Sequence, residues 1–232
     1  MVIEMNSILS RKLILIEGLP DTDKTSLSNR IFQHFNNHNK PAALLQATDK
    51  TSGNLSGIAG VPHNAFFGLL NNIQCIAKTK NYIFADLVSD NHNEEIKALL
   101  QQYHLGDASN TSISARGYAK TTLEWWQHWA SQNADKPAII MERAFLQNPI
   151  NQMLCRKASD ADIESYIRAI VDILKHFDPL CIYLRRPNGE VPTSFARQHE
   201  LEQSLLPLID HIVCDVDGHD WSDVDAKLQL NP

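Results

Sequence analysis

Eight consecutive residues carry the clearest chemistry in the chain. Gly18-Leu-Pro-Asp21-Thr22-Asp23-Lys24-Thr25 is close to the phosphate-binding pattern G-x-x-x-x-G-K-[ST]. Gly18, Lys24 and Thr25 are in register, and Asp23 stands where the pattern has its second glycine. In such a loop, backbone N–H groups and the N-terminus of the next helix cradle phosphate oxygens. The lysine reaches the β- and γ-phosphates and the hydroxyl meets Mg²⁺. Gly18, Asp21, Thr22, Asp23, Lys24, Thr25 and Ser26 are therefore the candidate nucleotide-binding residues, with ATP and Mg²⁺ as the expected cofactors.

The two aspartates work against that chemistry. Asp23 adds a Cβ where glycine is favoured, which costs about 1–2 kcal/mol if the backbone there is left-handed. At about 4 Å and an effective dielectric near 20, its carboxylate and a phosphate repel by roughly 4 kcal/mol. That is nearly a thousandfold in affinity. Lys24 and Mg²⁺ offset part of this, and Asp21 adds a second negative charge to the same loop.

The elements around the loop follow from hydrophobic periodicity. Lys12-Leu-Ile-Leu-Ile-Glu17 reads as a buried strand. A helix is expected from Lys24, with Leu27, Ile31 and Phe35 on one face. Pro41–Ala47 reads as a second strand, and residues 48–64, rich in Gly, Ser, Thr and Asn, as an irregular loop. The middle reads as helical. Ile96, Leu99, Leu100 and Tyr103 form one stripe, and Thr121-x-x-Glu124 resembles a capping box opening a helix with Trp125, Trp126 and Trp129. These tryptophans fit packing better than stacking on a base. Ala138–Met141 reads as a third strand ending in Glu142-Arg143. Ser159-x-x-Asp162 opens an amphipathic helix through Ile163, Ile167, Ile170, Leu174 and Phe177. Leu180–Leu184, a helix over 198–206, a strand at His211–Asp215 and a short helix from Ser222 complete the chain.

Apolar strands alternating with helices predict an α/β fold. The expected form is a three-layer α/β/α sandwich on a parallel, five-stranded sheet, with ligands at the carboxyl ends of the strands. We expect one domain over residues 1–232, with a helical insertion at about 64–135 and a lid-like segment at about 185–200.

Composition narrows the function classes. The chain has 232 residues, 21 basic against 27 acidic, and a net charge of −6. This disfavours a general nucleic-acid binder. No stretch approaches the roughly 18 apolar residues of a membrane span. The N-terminus has no basic start followed by a long apolar run, which points to the cytoplasm. Cys75, Cys155, Cys181 and Cys214 are widely spaced and read as buried reduced thiols. His34 and His38, four apart, read as a solvated helix face rather than a metal site.

Ile16-Glu-Gly-Leu-Pro and the closing Lys-Thr resemble the I-E-G-L-P-G-[ST]-G-K-[ST] loop of P-loop kinase-like proteins, a group that includes deoxynucleoside and thymidylate kinases. Against that pattern, Asp21 and Asp23 both replace glycine. Met141-Glu142-Arg143 is similar to the end of the third strand in these kinases, and Ile182–Pro187 to the strand leading into their lid. Phe145-Leu-Gln-Asn-Pro149 with Trp125-Trp126 looks closer to uncharacterised bacterial P-loop proteins.

The resemblance implies roles. Lys24 would bind the β/γ-phosphates, Thr25 and Glu142 the Mg²⁺, and Arg143 an acceptor or donor phosphate. Arg185, Arg186 and Arg197 would supply lid charge, and Asp49 would accept a substrate proton. The plainer reading of Glu142 and Arg143 is surface ion pairing, of the lid arginines ordinary solvated side chains, and of Asp49 a polar turn. Three functions stay open. The first is an ATP-dependent phosphotransferase acting on a small molecule or nucleotide. The second is a catalytically impaired relative that senses nucleotide or binds a protein. The third is a nucleotide hydrolase. The expected partner is the acceptor itself, with neither a membrane nor nucleic acid in general, and a homodimer is left open.

Overall fold

A computed structural model of the chain describes residues 6–46, 55, 57–65, 73–87, 89, 91–110, 112–187, 191–218 and 220–230. In chain order the elements are α1 Asn6–Ser10, β1 Leu13–Gly18, α2 Lys24–Asn37, β2 Ala42–Leu45, β3 Ile58–Pro62, β4 Cys75–Lys78, β5 Tyr82–Asp86, α3 Glu94–Gln102 and α4 Ala115–Asn133. They continue with β6 Ala138–Glu142, α5 Gln147–Cys155, α6 Asp160–Leu174, β7 Pro179–Arg185, α7 Ala196–Leu205, β8 Asp210–Asp215 and α8 Ser222–Leu228. Five strands form one all-parallel sheet in the order β2-β6-β1-β7-β8.

Side chains alternate across a strand, so β1 feeds both faces. Leu13 and Leu15 pack with Trp125, Trp126, Ile150, Ile167 and Leu201 from α4, α5, α6 and α7. Ile14 and Ile16 pack with Leu27, Ile31 and Phe35 of α2 and Val224 and Leu228 of α8. Helices on both faces make the expected three-layer sandwich. The strands are apolar on both sides because neither side meets water. The order places β1 at the centre, so the loop after it emerges between β6 and β7.

The middle of the chain differs from the expectation. Residues 58–86 hold a second sheet, antiparallel, in the order β3-β5-β4. The expected irregular loop thus ends in a strand at Ile58, and the stretch 64–135 holds β4 and β5 as well as α3 and α4. These strands are short and carry Gly60 and Pro62, weak strand signals. Gly60 is required by packing: a Cβ there would lie 2.4 Å from Thr121 Cγ2 of α4. The Ile96, Leu99 and Leu100 stripe of α3 covers this sheet through Ala59, Val61, Ile83 and Ala85.

Thr121 and Glu124 do not cap a helix. The helix begins six residues earlier, where Ser114 accepts from the Gly117 N–H. Thr121 donates back to the Gly117 carbonyl, and Glu124 accepts from Thr79 Oγ1 and from Asn81, bracing the β4–β5 turn. The Ser159–Asp162 capping box is present as expected. Cys181 and Cys214 are buried, but Cys75 and Cys155 are exposed. His34 is buried rather than solvated, with its ring centroid 4.4 Å from that of His38. Among the described residues no helix is long and apolar enough to cross a membrane.

Candidate functional site

The loop after β1 closes tightly. Gly18 has φ +132°, and a Cβ there would lie 2.0 Å from the Leu184 carbonyl oxygen of β7, so only glycine fits. Asp21 and Asp23 both take the left-handed conformation, at φ 59° and 50°. Asp23 therefore accepts the backbone strain expected of it. It sits at the N-cap of α2 without a side-chain capping bond.

Lys24 is almost fully buried. Its ammonium donates to the carbonyls of Gly18 (3.1 Å) and Leu19 and to Thr22 Oγ1 (3.2 Å). Thr22 in turn donates to the Leu19 carbonyl at 2.8 Å. Burial, then the charge of Arg143, lowers the Lys24 pKa to about 8. Ser26 is exposed on the first turn of α2.

The strand order brings the third strand's end to this loop. Ile16 of β1 is in register with Glu142 of β6, and Thr25 Oγ1 donates to Glu142 Oε2 at 3.0 Å. Hydroxyl and carboxylate, 117 residues apart in the chain, thus meet beside Lys24. The next residue, Arg143, is left-handed at φ 57°, with its N–H bonded to the Ile16 carbonyl at 3.0 Å. A left-handed arginine at a strand end marks a constrained site.

Arg143 lines a cavity of about 260 Å³ with Tyr118, Trp126, Asn148, Asn151, Gln152 and Tyr166 among its walls. Its Nε is sealed from solvent without a partner. Among the described residues its guanidinium makes no ion pair. The tryptophans are packing residues, as expected, but Trp126 also forms one wall of this cavity. Tyr166, one of its walls, shares a 2.7 Å hydrogen bond with Thr122.

Other candidates are placed elsewhere. Arg185 ion-pairs with Asp215 at 2.6 Å. Arg197 pairs with Asp160 and with Glu200. Arg186 follows β7, half-buried. Asp49 lies outside the described residues.

Two buried acids escaped the sequence reading. Glu17 is fully buried, and its carboxylate accepts the N–H groups of Phe145 at 2.7 Å and Gln147 at 2.9 Å. Burial raises its pKa to about 7, against the pull of those bonds. Glu202 of α7, also buried and shifted upward by burial, accepts from Tyr183 Oη and Gln198 Nε2, each at 2.6 Å. The available signal for Glu17 was a charge ending a fully buried strand.

The fold is compatible with that of P-loop proteins. Neither a scan against protein-family models nor a search of curated proteins finds a match.

Proposed function

We propose that the chain is a P-loop phosphotransferase that binds ATP with Mg²⁺ at residues 18–25 and passes the γ-phosphoryl to an acceptor in the Arg143 cavity. The observation that carries this reading is the 3.0 Å contact of Thr25 with Glu142 beside the buried Lys24. A hydroxyl and a carboxylate are hard oxygen donors. Mg²⁺ is usually held by one or two carboxylates together with phosphates and water. The residues therefore fit the cation: Thr25 and Glu142 would hold it, and it would neutralise phosphate charge. Lys24 exchanges its carbonyl partners for phosphate oxygens. Arg143 orients an anionic or polar acceptor, since its planar fork suits phosphate oxygens. The cavity offers an acceptor a place beside Arg143, which favours transfer over hydrolysis.

A second reading is a loop that keeps its shape without nucleotide. Its support is the pair of left-handed aspartates, which place negative charge at the mouth of the loop. Calorimetric titration of ATP with Mg²⁺ separates the two. Saturable binding that Lys24→Ala abolishes supports the phosphotransferase, and an acceptor screen then follows. No binding in the native chain but recovery in Asp23→Gly supports the second reading. Absence of binding in both removes the nucleotide from the account. Asp23→Gly is expected to fold at least as well as the native chain. It relieves about 1 kcal/mol of left-handed strain and loses no capping bond.

A further inference from the structure

Two buried acids are not used by the chemistry above, yet both converge on the turn that carries Arg143. Residues 143–146 link β6 to α5. The two N–H groups that follow Arg143 at this turn, those of Phe145 and Gln147, each reach a different oxygen of Glu17. A buried carboxylate that accepts two backbone N–H groups at a helix start holds that start firmly. On the other side, Gln198 Nε2 donates to the Gln147 carbonyl at 3.0 Å and to Glu202 Oε1. Gln147 is therefore gripped through its N–H by β1 and through its carbonyl by α7. Glu202 completes the chain through Tyr183 Oη, which lies 3.1 Å from His199 Nδ1.

We propose that Glu17, braced by Glu202 through Gln198, is the positioning residue of the acceptor cavity: it acts through the 143–146 turn to aim Arg143. The inference rests on reading that cavity as the acceptor site, but the aim of Arg143 can be tested without any substrate. The groups that act on Glu17 come from every side. They are Glu202 of α7, Lys24 at the start of α2, Cys181 and Tyr183 of β7, and the N–H groups of the α5 start. His199 lies one step further out, against Tyr183. Loss of the Glu17 charge weakens its grip on both N–H groups, so the turn should respond to pH through this residue, beside the response of Lys24, which titrates near 8 next to Arg143. Glu202 repels the Glu17 charge, so it holds the change at higher pH.

The test follows the Nε–H signal of Arg143 by nuclear magnetic resonance in the full chain, with Arg143→Lys to assign it. A sealed Nε predicts a signal protected from exchange. In the native protein it should shift with pH, with a midpoint near 7. In a Lys24→Met background, which removes the other group titrating beside Arg143, Glu17→Gln should abolish the shift and hold the signal at its acid position. Glu202→Gln should move the midpoint downward. The proposal is overturned if Arg143 gives no protected signal, if the signal ignores pH from about 5 to 9, or if the shift survives Glu17→Gln in the Lys24→Met background. Should Glu17→Gln fail to fold, Glu202→Gln decides: a lowered midpoint supports the proposal and an unmoved one overturns it. Calorimetry with ATP and Mg²⁺ runs alongside. Failure there removes the phosphotransferase reading and leaves the Arg143 result standing on its own.

Discussion

At the scale of single residues, the buried carboxylate of Glu17 links the site to stability. Its pKa rises from the ordinary 4.5 to about 7. Between these values the folded chain holds a proton that the unfolded chain has released. Stability from this group is complete below about pH 4.5 and is lost as pH rises through 7, a change of about 3 kcal/mol. Denaturant titrations across this window should show that slope in the native protein and its loss in Glu17→Gln. An unchanged slope would show that Glu17 ionises freely in the folded chain. Glu17 was visible in the sequence only as the last residue of an apolar strand. Its partners, the N–H groups of Phe145 and Gln147, lie about 130 positions away. Backbone donors leave no mark on residue types. Lys24 and Thr25 were legible because a local spacing suffices to place them. The meeting of Thr25 with Glu142 depended on strand order, which periodicity does not encode.

At the scale of elements, the parallel strands and the flanking helices could be read from apolar runs and stripes. Ser159 and Asp162 close their capping box as their spacing requires. The same spacing at Thr121 and Glu124 misled, because Ser114 already starts the helix about two turns earlier. Glu124 is free to reach sideways and brace the turn between β4 and β5. The three-stranded sheet escaped notice for a related reason. Its strands are held by α3 and α4 rather than by their own alternation, and Gly60 is needed only because α4 approaches so closely. Glu124→Ala removes charge-assisted bonds to Thr79 and Asn81 and should cost about 1.5–3 kcal/mol. The loss should appear as a lower denaturation midpoint and as faster amide exchange confined to β4 and β5. Uniformly faster exchange would mean that the brace supports the whole fold instead.

At the scale of the whole molecule, the apolar interior divides into layers. Ala59, Val61, Ile83 and Ala85 pack with α3 in a cluster of their own, apart from those on the two faces of the parallel sheet. Ile58, Tyr82 and Phe84 on the other face of this sheet join the main cluster, but the α3 cluster is the smallest of the three, and such margins open locally first. Native-state hydrogen exchange should find β3 and β5 opening at lower free energy than β1 and β7, and equal protection would show one cooperative unit. The parallel sheet has a different consequence, for synthesis. β1 lies between β6 and β7, whose first residues are Ala138 and Pro179. A ribosome adding about 5–20 residues per second makes β1 roughly 10–30 s before β7 exists. Until β6 is made, Leu13–Ile16, fully buried in the finished protein, has no strand to pair with, and its other edge stays open until β7 follows. The loop after β1 cannot take its final shape before β7 either, because Gly18 is seated against Leu184. This loop is thus translated well before the strand that seats it, and β1 keeps one open edge until β7 is made.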